Sequence, residues 1–425
     1  MDQLTSIEYI ATALFILALA HTFLASRVEH LAHRYPSHAG LFHLFGEVEV
    51  VFGLWAALLV MAISLIDSSQ TAIRYLESRN YTEPMLVFVL MVIAASRPLI
   101  EAARATNDQI ARTLPLHPAT ARFLVVMSIM PLLGSFITEP AAMTVAALLI
   151  REQFLRHDLP VGFKYAVIAT LFVNISIGGA LTPFAAPPVL MVATKWHWDI
   201  NFMVSHIGWR AILAVVFNAI VLTLIGHRWL KTLPLDAQID DQTARGHAIP
   251  WGVTLIHITF LTLAIVFHHH PVVFLGLFLF FLGYTNAYPM YQTRLMLREA
   301  LLVAFFLASL VVLGGLQAWW LQDLLTGLEP TVLFFSATVL TAITDNAAIT
   351  YLGSLVDGTD AAFHYALVTG ALAGGGLTVI ANAPNPAGYA LLKQCFPEHS
   401  IAASKLLLSA LAPTFVAIAA FWLIP

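Results

Sequence analysis

Residues 344–350 read Thr-Asp-Asn-Ala-Ala-Ile-Thr, and residues 138–144 read Thr-Glu-Pro-Ala-Ala-Met-Thr. The two stretches match acid for acid, with Thr, Ala-Ala and Thr in register, at an offset of 206 positions, about half the chain. Both lie inside strongly apolar sequence. A carboxylate brought to mid-bilayer costs a few kcal/mol or more, so such a residue faces a polar cavity and serves a purpose there. Each copy is followed by a second matching stretch. Gly178-Gly179-Ala180-Leu181-Thr182 answers Gly374-Gly375-Gly376-Leu377-Thr378, and these lead into Pro187-Pro188 and into Pro384 and Pro386. Two motifs recurring in the same order mark an internal duplication.

Composition sets the class. Apolar residues make up 59% and charged residues 10%, against about 25% charged in soluble domains, so lipid has to be the solvent. A net charge of −4 speaks against nucleic acid. Cys395 is the single cysteine, which excludes an intrachain disulfide and a cysteine metal cluster. The first apolar segment, 7–25, has no basic residue before it and exceeds a signal-peptide core, which predicts a retained membrane helix.

Apolar runs long enough to span are 6–25, 41–65, 84–103, 163–194, 205–226, 251–268, 271–288, 299–318, 361–393 and 402–424. The runs 163–194 and 361–393 are interrupted by the Gly-Gly motifs and by Pro183 or Pro384, which predicts one broken crossing each. The stretches 122–151 and 331–356 carry the acids at their middles, with arms of about 10 to 16 residues, short for a crossing. A re-entrant hairpin with the acid at its tip fits better.

Basic residues give the orientation. Arg104, Arg112 and Arg122 precede the first hairpin, and Arg151, Arg156 and Lys164 follow it, so both ends read as cytoplasmic. The second hairpin is flanked by Asp323, Glu329, Asp357 and Asp360 and reads as external. The N-terminus is then outside and the linker 227–250, with Arg228, Lys231 and Arg245, inside; Arg74, Arg79, Lys195 and Arg210 fall outside. Residues 1–226 form a first repeat and 251–425 a second of opposite topology, each with five spans and one hairpin. The expectation is an all-α, multi-pass membrane protein.

These features resemble the ion transporter superfamily, which includes bacterial sodium/proton antiporters of the NhaD type, arsenite permeases and divalent anion/sodium symporters. The nearest match is the family known as putative sodium/proton antiporters, and the resemblance spans most of the chain. It implies a substrate site at the hairpin tips and broken helices, a homodimer packed through scaffold helices (41–65 and 251–318 here), and an elevator motion. Asp345-Asn346 stands where antiporter-like members have Asp-Asn. Gly375-Gly376-Leu377-Thr378 with Asn382, Pro384 and Asn385 stands where they have Gly-Gly, Thr and Pro-Asn. The first half departs, with Glu139-Pro140 replacing Asp-Asn and no Asn after Pro187-Pro188.

The chemistry can be argued from the residues. A helix broken in lipid leaves backbone groups unpaired, which is tolerated where a cavity or ion satisfies them. Backbone oxygens at Gly178, Gly179, Gly375 and Gly376, the hydroxyls of Thr138, Thr182, Thr344, Thr378 and Ser176, the amides of Asn174, Asn346, Asn382 and Asn385, and the carboxylates of Glu139 and Asp345 make an all-oxygen set. Hard cations prefer oxygen. A carboxylate in low dielectric holds its proton toward neutral pH, so proton and sodium compete for one seat, Asp345 foremost. The bland alternatives are buried structural acids and glycines that only allow helices to pack closely. Glu47 and Glu49, two apart on a helix, point to nearly opposite faces. His268-His269-His270 reads as an external loop, and His21, His43 and His364 as isolated structural residues.

No helical His-Glu-x-x-His, nucleophile elbow, phosphate-binding loop or redox motif is present, so the reading is not an enzyme and needs no cofactor. The predicted function is exchange of sodium, or another monovalent cation, for protons across a bacterial inner membrane. A proton- or sodium-coupled anion carrier (dicarboxylate or arsenite-like) is the alternative, disfavoured by acids at the tips.

Overall fold

A chain this apolar must satisfy its backbone groups internally, and every regular element among the described residues is a helix. The computed structural model describes residues 2–34, 38–233 and 248–424. Linker residues 234–247, with Arg245, and the side chains of His43 and Glu49 lie outside the described residues. The first half contains α1 (Asp2–Arg34), α2 (Ala39–Gly46), α3 (Val48–Ile66), α4 (Ser69–Glu77), α5 (Thr82–Ala94), α6 (Arg97–Thr113), α7 (Pro118–Ile137) and α8 (Glu139–Ile150). It continues through α9 (Val161–Gly178), α10 (Pro187–Ala193), the single turn α11 (Ile200–Phe202) and α12 (Trp209–Leu230). The second half contains α13 (Trp251–Val266), α14 (Pro271–Ala287), α15 (Leu297–Gly314), α16 (Ala318–Leu325) and α17 (Pro330–Thr341). It ends with α18 (Asn346–Ser354), α19 (Ala361–Gly374), α20 (Asn385–Leu392) and α21 (Ala403–Ile418).

Among the described residues, five helices are long and apolar enough to cross a membrane: Pro118–Ile137, Val161–Leu181, Ile200–Leu230, Leu297–Gly314 and Ala403–Leu423. A sixth candidate is the pair α5 and α6, bent by 67°. Ten crossings were expected, and at two places the difference has a local cause. Several of the expected runs form continuous apolar helices of only 10–17 residues, such as Trp251–Val266, Pro271–Ala287 and Ala361–Gly374. The expected single span 84–103 breaks at Ser96, whose ψ of 146° is extended and which is followed by Pro98 in the first turn of α6. Proline removes the donor and crowds the preceding turn, so the chain turns there. Beyond the bend α6 buries Leu99, Ala103, Asn107 and Ala111 at i, i+4 spacing, the stripe of an amphipathic helix. The first arm of the hairpin expected over 122–151 is a longer helix than its roughly 10 to 16 residues. Pro118 starts α7 four residues before Arg122, giving 20 residues in place of at most 16.

The chain forms two compact units, each drawing on both halves of the sequence. One comprises Met1–Phe88, Leu297–Leu328 and Tyr351–Ala361. In it α3 packs on α1 and α15, with Gly53 set directly against the Phe305 ring. Gln317, fully buried, accepts from Thr12 Oγ1 (2.9 Å) and Trp320 Nε1 (2.8 Å) and donates to Leu313 O (2.9 Å). Glu47 pairs with Arg298.

The other unit comprises Val89–Met296, Glu329–Thr350 and Ala362–Pro425 and contains both acidic tips and both Gly-Gly stretches. The expected scaffold spans 251–268 and 271–288 belong to this unit, with α13 packed on α14 and α6. Its centre is α7, α8, α9, α12, α20 and α21, joined by close approaches such as that at Gly388, where an added Cβ would stand 2.6 Å from Met143 Sδ. A Cβ added at Gly178 would stand 2.7 Å from Pro131 O, and one at Gly374 would collide with Thr338 O. Both positions are therefore closed to any larger residue.

Candidate functional site

Both acids sit at helix N-termini, where the partial positive charge of the helix favours an anion. Thr138, between α7 and α8, holds φ at 73°, a left-handed conformation that a β-branched residue adopts only when its surroundings hold it there, at about 1–3 kcal/mol. Glu139 follows as the first residue of α8, with Pro140 beside it. Its side chain is 0% exposed. Oε2 accepts from Asn382 Nδ2 at 2.8 Å, while Oε1 has no hydrogen-bond partner among the described residues. Oε1 and the side-chain carbons instead lie against Gly179, where a Cβ would displace them.

Asp345 is placed differently. Half-buried, it caps α18, its Oδ1 accepting from the amides of Ala347 (2.7 Å) and Ala348 (3.3 Å). That is the geometry of a helix N-cap. Thr344, half-buried, donates to Leu340 O (3.1 Å) and extends the last turn of α17.

The helix interruptions meet these tips. α9 ends at Gly178, a single tight turn covers Gly179–Leu181, and helix resumes only at Pro187. α19 ends at Gly374 and helix resumes at Asn385. Thr182 Oγ1 donates to Ser135 O (2.6 Å) on α7, and Thr378 Oγ1 donates to Ala342 O (2.8 Å) just past α17. Each threonine thus ties its break to the adjacent tip. Ser135 adds two ties, donating to Gly178 O (2.7 Å) and accepting from Leu181 N (2.9 Å). In the second break Asn385 Nδ2 donates to Gly375 O and Thr378 O, both at 2.8 Å, and Asn346 N donates to Ala381 O (3.1 Å). Gly375 lies against Ser176 Oγ and 2.9 Å from Asn346 Nδ2, counted from the position of a Cβ. Gly376 lies against Val173. Ser176 Oγ donates to Leu372 O (2.8 Å).

Most of the expected site residues therefore form one connected cluster: Thr138, Glu139, Ser176, Gly179, Asn346, Gly375, Asn382 and Asn385. Asn174 does another job. Pro131 lacks an amide hydrogen, which frees the carbonyl of Met127 one turn earlier in α7. Asn174 Nδ2 donates to that carbonyl at 2.8 Å and to Val215 O at 3.2 Å, while its Oδ1 accepts from Asn218 at 3.0 Å. Its amide is committed to mending a proline-interrupted helix and joining α7, α9 and α12. Gly178 and Gly376 likewise serve close packing.

Two residues of the cluster escaped the sequence reading. Ser135 ties α7 to the first break, and Thr341, 0% exposed with an unpartnered hydroxyl among the described residues, stands at the end of α17 against Gly374 at the second break. They are 206 positions apart, the offset of the tips themselves, which is the signal that marks them.

The chemistry of the cluster lies in its unmet oxygens. Thr138 Oγ1, Glu139 Oε1, Thr341 Oγ1, Asn382 Oδ1, Asn385 Oδ1 and both amide atoms of Asn346 are buried without hydrogen-bond partners among the described residues. Buried polar groups are normally satisfied, and a concentration of unsatisfied ones marks the place of an ion or water. A hard cation fits this donor set, five side-chain oxygens and one carboxylate at its centre.

Comparison with known proteins places the chain in a family. Residues 6–424 match the sequence model of a family described as putative Na+/H+ antiporter, and the chain belongs to that family, one of membrane transporters. A search of curated proteins returns no match.

Proposed function

We propose that this member of the antiporter family exchanges sodium for protons at the cluster around Glu139, and that Glu139 is the seat the two ions share. The observation that carries the reading is the Glu139 carboxylate: fully buried, one oxygen held by Asn382 and the other turned toward Gly179 with no partner among the described residues. A buried carboxylate is cheap when protonated and cheap when a cation sits on it, and costly when bare. Proton and cation therefore displace each other. The oxygens of Thr138, Thr341, Asn346, Asn382 and Asn385 complete the cation's shell. Asp345 shapes the second tip by capping α18 and adds negative charge nearby, which favours a cation over an anion as cargo.

Alternating access follows an elevator scheme in this reading. The unit that holds both tips and both breaks is the moving body. The unit built on residues 2–88 and 297–328, which contributes none of these residues, is the frame and carries the homodimer contact. The two tips belong to re-entrant hairpins of an inverted repeat in a bacterial inner membrane, with the N-terminus outside. The paired ties of Thr182 and Thr378 to their own tips support the repeat.

The test is proton flux from proteoliposomes on addition of sodium, lithium or potassium in turn. Sodium-driven flux that is abolished in Glu139→Gln supports the reading. Flux driven by a dicarboxylate or arsenite, and unaffected by sodium, would replace it with the anion-carrier alternative.

A further inference from the structure

A cavity of about 730 Å³ opens beside the first helix break. Pro183 and Phe184, the residues directly after Thr182, line it together with Leu190, and so do His197, Asp199, His268 and His269. Phe184 and Leu190 are buried, whereas His197 and His269 are exposed, so the cavity runs from the break to the surface. We propose that this cavity is the cation's route between the site and one face of the membrane, and that its three histidines, once protonated, hold cations off and set the acid limit of exchange. The proposal rests on the exchange reading above and extends it to regulation.

Imidazole is the one side chain whose ordinary titration falls between pH 5 and 8. The three rings come from two separate segments: His197 from the loop between α10 and α11, where it holds φ at 55°, and His268 and His269 from the turn between α13 and α14. They do not form a chelate, since no group of three metal-ligating side chains is gathered among the described residues. Burial and the neighbouring His269 and His270 push the His268 ring below its usual range.

The other charged groups on these elements are Lys195 and Asp199 beside His197, His206 and Arg210 at the start of α12, His270, and His364, which stacks on Trp196 at 3.9 Å. Asp199 is the acid among them, and its Oδ1 is held by Phe202 N at 2.7 Å. Protonating the three histidines makes the mouth strongly positive. Three charges on the order of 8 Å from a cation, in water-like dielectric and at low ionic strength, lower its local concentration by about tenfold.

The experiment measures the sodium half-saturation of proton flux in sealed vesicles, with pH stepped from 7.5 to 5.5 on each face in turn and the other face held constant. Wild type is compared with His197→Gln/His268→Gln/His269→Gln. On the face the cavity serves (the outer one by the distribution of basic residues), half-saturation in wild type should rise about tenfold more than in the variant. That excess should shrink in 0.5 M choline chloride, because exposed charges are screened at high ionic strength. If the triple variant does not fold, His197→Gln and His269→Gln, both at exposed positions, should each remove part of the excess. Wild type and variants superimposing at both ionic strengths overturns the proposal while leaving sodium/proton exchange intact. A wild type with no sodium-driven flux at any pH overturns the exchange reading, and this proposal with it.

Discussion

Replacing Glu139 with Gln separates the charge of this side chain from its shape. The substituted amide keeps a carbonyl oxygen for Asn382 Nδ2, now 2.8 Å from Oε2, and places an NH₂ where Oε1 lies against Gly179. An unpartnered neutral amide in this position costs about 1–3 kcal/mol, less than a bare buried carboxylate. The wild-type carboxyl avoids its own cost by holding a proton, so the variant should fold with a loss no larger than this. What it loses is the charged partner of the cation. A contact to an ionised group is worth about 1.5–3 kcal/mol net, which corresponds to about 10- to 150-fold in sodium affinity. It also loses the titrating group, so sodium binding should release no protons. Both effects can be read by calorimetry of sodium binding in two buffers of different ionisation enthalpy, alongside flux in proteoliposomes. In wild type the apparent enthalpy should depend on the buffer, because protons leave as sodium enters; in Glu139→Gln that dependence should vanish. A variant that binds sodium within threefold of wild type and still releases protons refutes the assignment of Glu139 as the shared seat.

Three other outcomes are expected. Asn174→Ala leaves the Met127 carbonyl without its donor and should destabilise the protein by about 1–3 kcal/mol; adding Pro131→Ala restores the backbone donor and should recover part of the loss in a double-mutant cycle read by detergent unfolding. Asp345→Asn should keep the cap of α18 and some exchange, since Asn caps as well as Asp, whereas Asp345→Ala should be less stable than Asp345→Asn by about 1 kcal/mol. With Cys395 replaced by Ser, cysteines introduced at the exposed positions Arg156 and Asp357 should react with impermeant reagents from opposite faces of the membrane; reaction of both from one face removes the inverted repeat.

The sequence by itself determined the class and pointed to most of the residues that the structure gathers in the cluster around Glu139. A composition of 59% apolar and 10% charged residues leaves lipid as the only workable solvent, and this holds whatever the fold. The repeated tip and Gly-Gly motifs pointed to Glu139, Asn346, Gly179, Gly375, Asn382 and Asn385 because acids, amides and glycines are expensive in an apolar helix unless something uses them. Ser135 and Thr341 were within reach of the same 206-residue offset, but single hydroxyls in an apolar run carry little signal of their own.

Only the tertiary structure decided how the two acids differ. In sequence Asp345-Asn346 looks like the better ion seat and Glu139-Pro140 the weaker. In the structure Asp345 spends an oxygen on the amides of Ala347 and Ala348, and Glu139 keeps one open. A side chain's free valences depend on which backbone groups approach it, and those approaches come from helix ends far apart in the chain. The same holds for Asn174, beside a Gly-Gly break in sequence but bonded to a carbonyl that a proline 43 positions away sets free. The bend at Ser96 and the start of α7 at Pro118 are local effects of proline, whereas the length at which each apolar run breaks off as a helix is settled by packing, which hydropathy does not register.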